Sequence, residues 1–324
     1  MASRTRVSEK TRTGRSMRDC LSRQNGGSKP LSTDPGKQSL LLVHVSALLL
    51  GFLAPALKVI PASASAVVFG RSLIQCIALG ILMYFTGRTL ALRNARDIRS
   101  VMLLGSLQAL QWWTFIFAVQ MTSVAVALIA TFTFPVWLSL FEPVFFPVRF
   151  RFRNLLSGFG ILLGLALLAP DGIRAGGWSG LLSATASGFL VAVVMLVTRK
   201  SVQRISSVTI NFYESVITAM LFIFFAPGTM TLGYSDWLRL AYIALFFSGL
   251  PYLLVTYSIR HLDARVVGTI VSLEPIYGII LAAVLLGEIP GPVTALGGTI
   301  VLGISLLETW LSHRADREFL EHPQ

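Results

Sequence analysis

Long apolar stretches come in two sets of five along this 324-residue chain, and the two sets superimpose. A constant shift of 140 positions lays Pro135 on Pro275, Gly158 on Gly298, Leu162 on Leu302 and Leu167 on Leu307. An internal duplication explains the match. Each copy holds an odd number of crossings, so the second enters the bilayer in the sense opposite to the first. Inverted repeats of this kind frame secondary transporters, whose substrate sites lie near the midplane where the halves meet.

The chain is 54% hydrophobic and 13% charged, against about a quarter charged in ordinary soluble domains, so one soluble core cannot hide its apolar surface. The bilayer is the solvent. A crossing takes about 20 apolar residues, and ten fit: about 39–58, 64–86, 100–120, 122–142, 154–170, 178–198, 207–227, 236–258, 265–286 and 292–312. The expected fold is an all-α membrane protein with ten transmembrane helices in two inverted five-helix repeats, residues 39–170 and 177–312. A polar, basic tail over 1–38 is expected to be disordered and cytosolic, with an organelle transit peptide or a true start at Met17 as alternatives. A second cytosolic tail covers 313–324.

A net charge of +12 would suggest a nucleic-acid partner in a soluble protein, but its distribution instead sets orientation. With the N-terminus inside, Arg88, Arg93, Arg96, Arg99, Arg149, Arg151, Arg153, Arg199, Lys200, Arg204, Arg260 and Arg265 fall in or beside inner loops. Lys58, Arg174 and Arg239 lie outside. Lys and Arg favour the cytosolic side, so both termini are expected there, with the 171–177 loop facing outward.

Chemistry-bearing motifs are missing. There is no HExxH, CxxC, GxSxG or P-loop, and Cys20 and Cys76 sit in the tail and in an apolar span. No catalytic, metal or cofactor site is indicated, and ATP-driven transport by this chain alone is not expected. Gly160 and Gly164 form a GxxxG inside an apolar span, readable as a homodimer contact or as packing within one molecule.

Ionisable side chains inside spans face a cavity or a partner, because exposure to lipid is costly. Glu274 lies about ten residues into its helix, near the midplane, beside Pro275. It is either a substrate or proton site or a buried acid that pairs with Arg71 to fix packing. Arg71 either pairs with such an acid or binds a substrate carboxylate. Glu214, beside Asn211 and Tyr213, stands for a site or a wet vestibule, and His44 for a snorkelling or hydrogen-bonded residue or a proton relay. Gln108, Gln111 and Trp112 share one helical face, and Tyr252 and Tyr257 lie on the corresponding helix of the second repeat. Such residues can stack on a planar substrate, or they can simply pack. Glu142, Glu288 and Glu308 lie near span ends, where solvation accounts for them. Pro135 and Pro275 mark helix breaks.

The run Ala264-Arg265-Val266-Val267-Gly268, then Ser272-Leu273-Glu274-Pro275-Ile276-Tyr277-Gly278, and Leu285-Leu286-Gly287-Glu288 with Gly297-Gly298 downstream resembles the EamA repeat of the drug/metabolite transporter superfamily. Ser123 to Leu128, Phe134-Pro135-Val136 and Gly158 carry the same outline in the first half. The second-half Gly-Glu has no counterpart at Val148-Arg149. The resemblance implies a ten-helix carrier for a small-molecule substrate. The expected function is that of a secondary transporter, an exporter of small organic metabolites, amino acids or toxic compounds that works by alternating access. The expected location is the plasma membrane, a bacterial inner membrane before an organelle membrane. The rivals are a lipid-acting membrane enzyme, which lacks a nucleophile or metal cluster here, and a non-transporting scaffold.

Overall fold

Three serines start helices by the same device. Ser63, Ser123 and Ser206 hold extended backbone, and each side-chain oxygen accepts the N–H three residues on, from Ala66, Val126 and Thr209. Such caps meet a donor that has no partner in the first turn. The computed structural model describes residues 35–321 apart from 88–90, 93, 147–152, 227–231 and 263. Most of the expected tail, Cys20, Arg88, Arg93, Arg149 and Arg151 lie outside the described residues.

The described chain is built of α-helices: α1 (Pro35–Gly51), α2 (Leu53–Lys58), α3 (Ala64–Phe85), α4 (Ala95–Met121), α5 (Val124–Thr131), α6 (Phe134–Phe145), α7 (Arg153–Ser201) and α8 (Ser207–Phe222). After a short 3-10 turn come α9 (Tyr234–Tyr242), a π-helical segment (Ile243–Gly249), α10 (Leu250–Ile259), α11 (Ala264–Val271), α12 (Glu274–Leu286) and α13 (Pro292–Glu321). Among the described residues, seven helical stretches are long and apolar enough to cross a membrane, where ten spans were expected. The other three expected spans coincide with shorter apolar helices over 156–168, 274–286 and 292–304. One of these is short because its span is broken: α11 ends at Val271 and α12 begins only at Glu274.

The duplication is visible in the backbone. The first half breaks between α5 and α6, and the start of α5, its end and the restart at α6 each recur 140 residues later in α11 and α12. Pro135 and Pro275 stand in the first turn of the restarted helices, where a missing N–H costs nothing. Thr133 steadies the first break by donating to the Ala130 carbonyl (2.9 Å) and accepting from Trp137 Nε1 (3.2 Å). α7 packs directly on this break, because Gly188 faces the Thr131 carbonyl; a Cβ there would stand 2.5 Å from that oxygen.

Three boundaries differ from expectation. Helical backbone continues through 171–177, where a loop was expected, so Arg153–Ser201 is one uninterrupted helix that tolerates Pro170. At the ends, α1 begins at Pro35, inside the expected tail, and α13 runs to Glu321, beyond the expected end of its span. Pro suits a first helical turn, and the stretch after Ser312 is rich in Arg, Ala, Glu and Leu, which favour helix.

Glycines bring the helices close. Gly164 and Gly297 lie against each other, a Cβ on Gly297 standing 2.8 Å from the Gly164 carbonyl, and Gly160 faces Ile304. The GxxxG of α7 therefore packs within the molecule, on α13. Gly51 meets Tyr277 and Gly278 across the halves.

Candidate functional site

The third and eighth expected spans face each other across the middle of the bundle. Gln108, Gln111 and Trp112 of α4 are buried on one face, as their three- and four-residue spacing requires. Gln108 Nε2 donates to Gln111 Oε1 (3.1 Å), and Gln111 Nε2 donates to Ser187 Oγ (3.1 Å). Trp112 packs on Phe115 and Tyr252, with ring centroids 6.1 and 5.2 Å apart.

These residues border a cavity of about 100 Å³ whose walls come from both halves. Gln108, Gln111, Trp112, Glu214, Tyr252 and Glu274 all line it, together with Phe115, Phe132 and Phe134 and the α7 face from Val191 to Thr198. The helix break supplies part of the wall through Thr131, Phe132 and Phe134. Glu214 and Glu274 are each 7% exposed, and no hydrogen bond or ion pair with another described residue engages either carboxyl.

Arg71 lies beside this cavity and not in it. It lines an adjoining polar recess of about 20 Å³ with Ser72, Gln75, Asn211, Glu214 and Tyr252. Its guanidinium lies over the Trp112 ring, 3.6 Å from the centroid, and Nη1 donates to Ser248 Oγ. Its Nε is buried with no hydrogen-bond partner. The ion pair with Glu274, one of the two readings of each residue, is not among the ion pairs of the described residues. Arg71 is met instead by an aromatic face and a hydroxyl, a cation–π arrangement that gains strength where water is excluded.

The π-helical segment explains how that hydroxyl reaches Arg71. π turns widen a helix by one residue and often mark functional sites. Here Gln75 Nε2 donates to the Ala244 carbonyl (3.1 Å) and to Ser248 Oγ (2.8 Å). Gly249 leaves room for the amide, since a Cβ there would stand 2.9 Å from the Ala244 oxygen and 3.4 Å from Gln75. Sequence reasoning missed Gln75 and Ser248. Gln75 lies four residues after Arg71, on the same face, and that spacing was a signal that could have found it.

Two expectations fail at the periphery. Tyr257 is 37% exposed and leans on the His261 ring, 4.7 Å between centroids, so it is not part of the cavity. Five residues turn a helix by about 140° beyond a full turn, which carries Tyr257 away from the face of Tyr252. Glu142 and Glu288 are not merely solvated. Glu142 is buried and pairs with Arg199 (3.0 Å), while Glu288 pairs with Lys58 (2.8 Å) and accepts the Val124 N–H (2.8 Å). His44 is exposed, its Nδ1 2.9 Å from the Leu40 carbonyl, and the side chain of Glu308 lies outside the described residues.

The model of the EamA-like transporter family matches residues 37–169 and again 178–309. The chain belongs to this family. It is a multi-pass membrane protein of a transporter family, and the two matches follow the duplication seen in the backbone. The chain is also 23% identical over 255 residues to an uncharacterized transporter, YdfC, of Bacillus subtilis (strain 168), covering 76% of this chain and 82% of that one. A crystal structure of another protein, 18% identical, superimposes with a TM-score of 0.59 over 86% of this chain and 98% of that chain. This likeness bears on the fold.

Proposed function

We propose that this transporter is a secondary carrier that moves a small organic solute outward by alternating access through the central cavity. The observation that carries the reading is the cavity itself, walled by α4 and the α5–α6 break from one half and by Glu214, Tyr252 and Glu274 from the other. Sites at the meeting of two repeats suit carriers in which the halves rock about a bound substrate.

Two ion pairs support alternating access. Lys58 and Glu288 join the end of α2 to the end of α12, and Arg199 and Glu142 join the end of α7 to α6. Only the cations correspond under the duplication: a shift of 140 carries Lys58 to within one residue of Arg199, whereas Glu288 falls on Val148, six residues from Glu142. The two pairs sit at opposite ends of the broken span, since Val124 and Glu142 are about 27 Å apart along it. The cavity lies between them, with Leu53 five residues before Lys58 and Thr198 next to Arg199. Each pair bridges the halves, so each is a latch whose release opens one end.

By the distribution of Lys and Arg, the Glu142–Arg199 latch and both termini are cytosolic; residence in the plasma membrane belongs to the same reading. Coupling to protons through Glu274 belongs to the same reading. The test is flux through sealed vesicles carrying purified protein, loaded with a mixed metabolite pool and followed by mass spectrometry. Faster exit of at least one small solute than from protein-free vesicles supports a carrier; identical exit of every solute favours a scaffold.

A further inference from the structure

The chemistry of the cavity wall narrows the solute. Two carboxyls, Glu214 and Glu274, border the same space, each more than nine-tenths buried and neither in a hydrogen bond or ion pair with another described residue. Among the described residues, no Lys, Arg or His lines that space. The rest of the wall is mostly aromatic and aliphatic, with the Gln108 and Gln111 amides and the hydroxyls of Thr131, Thr198, Thr256 and Tyr252 as its neutral polar groups. A carboxylate that stays charged away from water requires a counter-ion or hydrogen-bond donors, and otherwise takes up a proton, which a cationic ligand can displace. The wall offers neither a cation nor a committed donor to these two, so a positively charged ligand supplies what the protein withholds.

We infer that the substrate is an organic cation with an apolar or aromatic body and no carboxylate of its own. The inference rests on the carrier reading above. Tyr252, Phe132 and Phe134 offer rings to an ammonium or to a planar ring, and such faces attract cations at close range.

The competing ligand is a zwitterion, its ammonium toward the acids and its carboxylate toward Arg71. Geometry opposes it. Arg71 is committed to the Trp112 face and to Ser248, and the recess beside it is about 20 Å³. A water takes about 10–15 Å³ on that measure, so the orphan Nε has room for one water and no room for a carboxylate unless Trp112 moves. An anion is disfavoured by both carboxyls at once.

The experiment measures equilibrium binding and vesicle flux for matched ligands: phenethylamine, phenyltrimethylammonium and tetraethylammonium as cations, phenylalanine as zwitterion and 3-phenylpropionate as anion. At least one cation is expected to bind and cross at least tenfold better than the zwitterion, with the anion inactive. Glu214→Gln and Glu274→Gln are each expected to weaken cation binding at least tenfold while keeping the unliganded thermal midpoint, which separates lost binding from lost folding. Equal or better binding of phenylalanine or 3-phenylpropionate, no binding by any of the three cations, or cation binding indifferent to both Gln variants would overturn the inference. Flux of a zwitterion or an anion would leave the carrier reading standing and remove only the cation; absence of flux for every solute in the mixed pool would remove the carrier reading itself.

Discussion

Replacing Glu274 by Gln separates a transport role from a packing role, and the structure sets the expected size of each effect. Gln keeps the shape of the side chain and removes its charge. If Glu274 were the counter-ion of Arg71, the change would strand a buried guanidinium, at a cost of about 3–5 kcal/mol by soluble precedent. The geometry removes that penalty. Glu274 has no ion pair or hydrogen bond among the described residues, and Arg71 is held by Trp112 and Ser248. The stability change is therefore expected to stay within about 1 kcal/mol, the scale of one ordinary hydrogen bond. Arg71→Gln is expected to destabilise on its own, and adding it to Glu274→Gln is expected to restore no stability, since the two residues form no ion pair with each other. Thermal unfolding of purified protein in detergent measures all three variants, and vesicle flux of Glu274→Gln is expected to fall strongly while its midpoint holds. A large loss of stability in Glu274→Gln, repaired by adding Arg71→Gln, would refute this reasoning by revealing the pair.

Gly188→Ala places a Cβ against the Thr131 carbonyl and is expected to cost about 1–3 kcal/mol through overpacking; an unchanged unfolding midpoint would contradict the packing of α7 on the break. Ser248→Ala removes the acceptor shared by Arg71 and Gln75 and is expected to cost about 1–3 kcal/mol; a neutral result would mean that the stacking on Trp112 suffices to hold the guanidinium. In intact cells, an impermeant thiol label is expected to reach a cysteine at Arg174 but not one at Arg93, both placed in a Cys20→Ser, Cys76→Ser background. The reverse pattern would invert the topology.

The parts of this fold that follow a local or periodic rule were legible in the sequence. The break before Pro135 and its repeat before Pro275 could be read because both copies keep the same spacing. The buried face of Gln108, Gln111 and Trp112 could be read from helical geometry. The rest depends on contacts between distant residues. Lys58 finds Glu288, and Arg199 finds Glu142, only once the helices are packed. The π-helical turn has no local signature beyond Gly249, because it is the Gln75 and Arg71 side chains of another helix that use its carbonyl and hydroxyl. An acidic partner was one of two readings of Arg71, because charge pairing is the simplest way to bury a guanidinium; the ring of Trp112 meets the guanidinium instead, and its position depends on how α3 and α4 pack. Tyr257 was misplaced for a different reason, since its spacing from Tyr252 already put it on another face.

The central claim is that one cavity opens alternately to the two faces under the control of two latches. Its most direct measurement is the labelling rate of a single cysteine at Val194, on the cavity wall, from each side of oriented vesicles, in the Cys20→Ser, Cys76→Ser background. Lys58→Met, which removes the cation of one latch, is expected to speed labelling from the outer face and slow it from the cytosolic face. Glu142→Gln, which weakens the other latch, is expected to do the reverse. Rates that rise from both faces together, or that respond to neither change, would contradict alternating access through this cavity.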